Sequence, residues 1–404
     1  MQTCDPKTVK KRRVFYIPGY DPHPPRRYRE LYRKQGAKQA GISGYQIAVE
    51  QRIDAPGYGW QVQGVFDGHC VASEIDVLVW SDLVQKSMGG SIASSYVQLV
   101  RTAWIYISTG ALRRLMWLGK GPMLAAFYPV GMLLAQAMVA IGLGLIIGGA
   151  LSSLTVAGAG WIVGLPVFVL VLRWFKDNDG RFYAHYLMRD YAFTAKNRGR
   201  NPAELEARLD RFRHQIELAL ASDVDEVLVV GHSSGVHLAV NIIAQILRNE
   251  PAGQARPELA LLSLGQVVPM VSFLPAAGQL RADLVTLSLS DVLTWVDVSA
   301  PGDGCCFALC DPVAVSGVAQ PHKRWPLVFS AAFSKSLSPE LWARLRRRYF
   351  RLHFQYLCAF DRPRDYDYFQ ITAGPVTLAA RYKDRPASKS RIDVAASPYT
   401  SLAP

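Results

Sequence analysis

A short run, Gly231–His232–Ser233–Ser234–Gly235, holds the residue types best suited to covalent chemistry. It follows directly on Glu226–Val227–Leu228–Val229–Val230, a strand too apolar to keep a wet face, and precedes a helical stretch from Val236 to Leu247. A serine between strand and helix must leave the sheet on a very sharp turn. Glycines two positions before and after it let the two backbones crowd together. Such a turn lifts the Ser233 hydroxyl clear and aims the Ser234 backbone N–H at a reacting oxygen. The helix N-terminus adds positive potential where negative charge develops. The chemistry expected is nucleophilic attack on a carbonyl; the plain alternative is a glycine-rich turn that does none.

In this strand–turn–helix setting the motif resembles the nucleophile turn of the α/β-hydrolase family. A second segment carries the same resemblance. Phe15–Tyr16–Ile17–Pro18–Gly19–Tyr20 reads as a strand ending in Pro-Gly, followed by Asp21–Pro22–His23–Pro24 and a helix. The family has a small-residue loop here, whose following residue donates the second oxyanion-hole N–H. On this chain that donor is the backbone of Tyr20, and Pro18 stands where many members carry histidine. The family's chain order is nucleophile, acid, base. The acid implied is Asp303, between Gly302 and Gly304 in the loop after the strand Thr294–Val298, with Asp297 and Asp311 as rivals. The base implied is His353, expected just past a strand and ahead of a last helix, with His322 as its rival. The resemblance therefore implies a serine esterase or lipase with a Ser233–His353–Asp303 triad and an acyl-enzyme. It implies an oxyanion hole of Tyr20 and Ser234, and no metal or organic cofactor.

The elements that must position these groups alternate between strand and helix, which predicts an α/β fold, a mostly parallel sheet covered by helices. Strands are expected at Val14–Ile17, Ile47–Ile53, Trp60–Phe66, Ile75–Trp80, Leu259–Leu264 and Leu293–Val298, and near Phe350. Helices are expected over Ser91–Leu118 and Phe182–Lys196, and after Asn201–Pro202–Ala203–Glu204, where Asn201 can cap and Glu204 can complete a capping box. Leu205, Leu209, Phe212 and Ile216 give that last helix its buried stripe.

From Gly121 to Leu172 there are 52 consecutive residues without Asp, Glu, Lys, Arg or His. A bilayer span takes about 20 apolar residues, so the stretch fits two spans, Met123–Gly148 and Ser152–Leu172, with small residues at Gly148–Ser153 for the turn. Gly144 and Gly148, and Gly160 and Gly164, are spaced so that the two backbones can approach closely. Arg113, Arg114 and Lys120 precede the stretch, and Arg173 and Lys176 follow it. Both flanks are basic and lie on one side, which predicts a cytoplasmic hydrolase domain.

Residues 13–119 and 174–380 form that domain, 121–172 the transmembrane hairpin and 384–404 a disordered tail. With 19% of residues charged and half of them hydrophobic, the chain is not a disordered protein, and six cysteines in 404 residues are too few for a disulfide scaffold. Cys305, Cys306 and Cys310 cluster without a second thiol pair at ligand spacing, so no zinc site is expected. The net charge of +13 asks for an anionic partner. Beside a membrane hairpin, the basic runs at Lys10–Arg13, Arg26–Arg29 and Arg346–Arg348 point to lipid head groups rather than nucleic acid. The substrate expected is a small acyl ester, such as a lipid ester. A non-catalytic membrane protein using the same fold as an interaction platform is the alternative.

Overall fold

The computed structural model describes residues 8–52, 57–154, 159–249 and 257–403. Among these, eight strands form one sheet: β1 (Lys11–Ile17), β2 (Gln46–Gln51), β3 (Tyr58–Phe66), β4 (His69–Val77), β5 (Glu226–His232), β6 (Glu258–Leu264), β7 (Leu293–Ser299) and β8 (Leu327–Ser330). Their spatial order is β2-β3-β4-β1-β5-β6-β7-β8. The six strands from β4 to β8 in that order run parallel, and β2 and β3 extend one edge antiparallel. Every residue of β5 is buried. Alternate side chains feed two apolar layers: Val14, Tyr16, Leu228 and Val230 face one, and Phe15, Ile17, Val227 and Val229 the other.

The helices among the described residues are α1 (Arg26–Ser43), α2 (Ser81–Met88), α3 (Ile92–Ser108), α4 (Ala111–Leu115), α5 (Lys120–Leu154), α6 (Ala159–Asp177), α7 (Asp179–Phe182), α8 (Ala184–Ala195), α9 (Ala203–Leu220), α10 (Gly235–Asn249), α11 (Pro269–Ser272), α12 (Gly278–Leu289), α13 (Pro312–Val315), α14 (Phe333–Ser336), α15 (Pro339–Leu345), α16 (Tyr349–His353), α17 (Tyr368–Ala373) and α18 (Leu378–Tyr382). After β1 the chain builds toward β4 on one side, and later resumes at β5 on the other. The sheet order thus reverses between β1 and β5, and open α/β sheets present their ligand crevice at the carboxyl ends of such a strand pair.

Several expectations are corrected. The helix expected over Ser91–Leu118 is two: Ser91 caps α3, and Gly110 at φ 71° ends it before α4. The helix expected over Phe182–Lys196 breaks at Tyr183, which sits at φ 54°. Asn201 does not cap α9; its side chain donates to Asn241 Oδ1 at 3.1 Å, and Glu204 pairs instead with Lys86. No strand forms near Phe350. Tyr349–His353 form the short helix α16 instead, with Leu352 and His353 buried. The expected disordered tail is ordered over 384–403. Ile392 N–H donates to Leu309 O at 2.8 Å, Ala396 N–H to Val315 O at 3.0 Å, and the buried Arg281 to Ser401 O at 2.7 Å. Ile53 lies outside the described residues.

The uncharged stretch forms α5 and α6. α5 runs through the turn expected at Gly148–Ser153, and the connection at 155–158 lies outside the described residues. The two helices pack at their glycines. A Cβ on Gly144 would lie 2.8 Å from Gly164 O, and one on Gly148 2.6 Å from Gly160 O. Among the described residues one helix, over Gly121–Ser153 with mean hydropathy 2.3, is long and apolar enough to cross a membrane.

Candidate active site

The nucleophile turn is held by close backbone contact. Ser233, directly after β5, adopts φ 56°, a left-handed conformation that costs a non-glycine residue of order 1 kcal/mol. Its N–H donates to Leu264 O at 2.9 Å, and its carbonyl accepts from Val236 N–H at 3.1 Å. The glycines on either side are required by space: a Cβ on Gly231 would lie 2.8 Å from Val236 Cα, and one on Gly235 2.2 Å from Ile17 O. Gly19, after β1, faces the serine itself, since a Cβ there would lie 2.9 Å from Ser233 Cβ.

Two of the three expected catalytic residues are hydrogen-bonded to each other. His353, at the last turn of α16, is joined through Nδ1 to Asp303 Oδ2 at 2.7 Å. Asp303 also accepts from Tyr356 Oη–H at 3.1 Å and from Cys305 N–H at 2.9 Å. Burial works against its charge, but the His353 imidazole, with smaller help from Cys305 N–H and the Cys306 side chain, outweighs burial and holds the carboxyl below the usual carboxylate range. The other ring nitrogen of His353, Nε2, is buried without a hydrogen-bond partner among the described residues, and His353 lines the same cavity as Ser233. This arrangement leaves Nε2 available as a base at the cavity while Asp303 fixes the tautomer.

The rivals do other work. Asp297 is sealed in β7 with neither oxygen paired among the described residues, and burial pushes its carboxyl far up. Asp311 caps α13 through Val313 N–H and Ala314 N–H and pairs with Lys323 at 2.5 Å. His322 is exposed on a loop and does not line the cavity.

The two expected oxyanion donors meet, with a complication. Tyr20 N–H donates to Ser234 Oγ at 2.8 Å, so its donor is engaged. Ser234 N–H makes no hydrogen bond among the described residues and stands at the start of α10, where the helix dipole favours negative charge.

Four further residues shape the site and were not singled out in the sequence. His232 stacks 4.7 Å from the His353 ring, and its Nε2 contacts His353 O at 3.0 Å. Burial, and then the nearby His353, lower His232 to about 3, so it is neutral and Nε2–H donates to that carbonyl. It was hidden as a variable position inside the motif. Tyr356 lay in an aromatic run that reads as core. Gly265 at φ 53° lies under the dyad, where a Cβ would come 3.1 Å from His353 Cε1 and 3.3 Å from Asp303 Oδ2; a glycine closing the apolar β6 was the available signal. Asp190 of α8 lines the cavity without a hydrogen bond or ion pair among the described residues. Burial raises it to about 7, with His353 acting in the opposite direction. Its signal was a lone carboxyl amid Tyr186, Tyr191 and Phe193.

The cavity measures about 820 Å³. Its walls include Leu124, Ala125, Leu187, Val267 and Met270, so the first turns of α5 form part of it. Tyr191 Oη–H donates to Ala125 O at 3.1 Å and Tyr128 Oη–H to Phe182 O at 2.7 Å, tying α5 to the segment over the site. Gly121 abuts the acid loop, where a Cβ on it would lie 3.2 Å from Gly304 Cα. Among the described residues no cluster of His, Cys, Asp and Glu is grouped as a metal site. Compared with known proteins, the chain matches no family model, no curated protein and no solved structure.

Proposed function

We propose that the chain is a membrane-anchored serine hydrolase of α/β-hydrolase type that cleaves carboxylic esters. The observation that carries this reading is the His353–Asp303 hydrogen bond at 2.7 Å, with Nε2 unpartnered in the cavity that Ser233 lines. His353 takes the Ser233 proton as Oγ attacks the carbonyl carbon. Ser234 N–H, joined by Tyr20 N–H once it is released from Ser234 Oγ, holds the oxyanion. The C–O bond breaks, the alcohol leaves with the proton from His353, and water then hydrolyses the acyl-enzyme to a carboxylic acid. The balance is ester plus water giving acid plus alcohol, with no cofactor.

The anchor in this reading is the pair α5 and α6 spanning the bilayer as a hairpin, with the sheet domain on the cytoplasmic side. Leu134, Met138, Ile141, Leu145 and Ile146 of α5 are exposed, as are Trp161, Ile162 and Leu165 of α6. α3 adds a stripe at helical spacing, Val97, Val100, Trp104 and Ile107, all exposed, as an interfacial helix presents.

A fluorophosphonate probe tests the reading, because it needs an activated serine. Labelling of the folded full chain, lost in Ser233→Ala, is expected. Its absence favours a non-catalytic membrane platform, for which the engaged Tyr20 N–H is the specific observation.

A further inference from the structure

The cavity has an apolar half and a cationic half. α5 and α8 supply the apolar half through Leu124, Ala125 and Leu187, and the segment entering α16 supplies Arg347, Arg348 and Arg351. All three arginines are exposed, and none has a side-chain ion pair, hydrogen bond or aromatic contact among the described residues. Three unbalanced guanidiniums on one wall repel one another unless an anion sits between them, and a planar guanidinium matches a phosphate well.

The same five-residue helix carries the base. Arg348 precedes α16, Arg351 lies within it and His353 ends it. At a helical rise of 1.5 Å per residue, the five steps from Arg348 to His353 span about 7.5 Å along the axis. In a glycerophospholipid a short glycerol unit separates the phosphate from the ester carbonyls, so one molecule can reach both.

We infer that the cavity takes an anionic glycerophospholipid, its phosphate held by Arg347, Arg348 and Arg351, its acyl chain along α5 and α8, and its ester at Ser233. This inference rests on the hydrolase reading for turnover, but not for binding. The lipid source follows from α5, which is both a cavity wall and the helix long and apolar enough to cross a bilayer. Ester cleavage there releases a fatty acid and a lysophospholipid, with water supplying the hydroxyl of the acid and the proton of the alcohol.

The test uses full-length Ser233→Ala protein in detergent, so that binding is read without turnover. Calorimetric titration compares monomeric dihexanoyl phosphatidylglycerol with dihexanoylglycerol, two probes that share acyl chains and differ in the phosphate. The phospholipid is expected to bind at least tenfold tighter. Arg347→Gln, Arg348→Gln and Arg351→Gln together bring the two affinities within about twofold, while lysine at the same three positions keeps the preference. Equal binding of both probes by the Ser233→Ala protein overturns the inference, as does a preference that survives the glutamine variant. If the unmutated chain keeps the preference yet hydrolyses neither probe, the hydrolase reading falls and the phosphate subsite stands.

Discussion

The Tyr20 amide donates to the Ser234 hydroxyl at 2.8 Å, so one of the two donors proposed for the oxyanion is already occupied before any substrate enters. Ser234 is buried, and in the proposed mechanism its oxygen occupies the place of the oxyanion. Substrate must displace that oxygen from Tyr20 N–H as the tetrahedral centre forms. A net hydrogen bond is worth about 0.5–1.5 kcal/mol, so the displacement slows acylation by roughly two- to tenfold. Ser234→Ala is therefore expected to raise kcat on a short p-nitrophenyl ester by a few-fold, with KM little changed. A fall in kcat would mean that the Ser234 hydroxyl assists catalysis rather than competing with it.

Asp303 has three donors converging on it, and the His353 bond orients the imidazole. Asp303→Asn keeps the shape but offers an amide to Nδ1, which favours the tautomer with its proton on Nε2, where the base must be free. From triad chemistry, a loss of about 100- to 10,000-fold in kcat is expected, with KM near its original value. His353→Ala should lose at least as much. Steady-state kinetics on a water-soluble ester check both, and unchanged activity in either variant removes the residue from the mechanism.

His232 and His237 give the fold a defined response to acid. Burial lowers His232 to about 3 and His237 to about 4, against an ordinary value near 6.5. Below 6.5 the unfolded chain binds protons that the folded chain refuses, so the stability these two groups allow is full above pH 6.5 and is lost as pH falls toward 3. Thermal melts between pH 7 and 4 should show Tm declining with acidification. His237→Asn, which removes a titrating group whose Nδ1 has no partner, should flatten that slope. A slope identical in the variant would show that His237 does not stay neutral in the fold.

Asp190 predicts the opposite sign. Its folded value of about 7 lies above the unfolded carboxylate value near 4, so the folded state holds its proton longer. Its destabilising effect grows as pH rises from about 4 to about 7 and is constant beyond. Asp190→Asn should therefore raise Tm relative to the unmutated chain by an increment that increases from pH 5 to pH 8. An increment independent of pH would mean that Asp190 is ionised throughout.

The strand–turn–helix around Ser233 was legible because it is local: an apolar strand, two glycines and a helix within a few residues. The expectation of Asp303 and His353 came from the resemblance, which places an acid after a late strand and a base beyond it; the two do meet, although the strand expected before His353 is the helix α16. What the sequence hid were contacts made across long separations. Tyr20 and Ser234 are 214 residues apart, and nothing local signals that one hydroxyl meets the other's amide. The break at Tyr183, a non-glycine residue at φ 54°, has no sequence signature. The ordered C-terminal segment misled by composition, since a stretch poor in large apolar residues is held by backbone bonds to α12, α13 and the Leu309 loop, with Ala396 and Ile392 packed on a small core.

Gly19 offers the sharpest steric test of the site. A methyl group there would press on Ser233 Cβ at 2.9 Å and His232 O at 3.2 Å, and would lie 3.4 Å from Ser233 Oγ. Ser233 is already at φ 56°, so it has an easier conformation to relax into if pushed. Overpacking of this kind costs about 1–3 kcal/mol of stability, while a displacement near 1 Å in a nucleophile costs roughly 100-fold in rate. Gly19→Ala is thus expected to lose far more activity than stability, read as kcat against Tm on one preparation. Gly235→Ala, whose Cβ would lie 2.2 Å from Ile17 O, meets rigid strand backbone instead and should cost mainly stability. If Gly19→Ala retains full kcat, Ser233 does not need the position in which the turn holds it, and the nucleophile assignment loses its geometric basis.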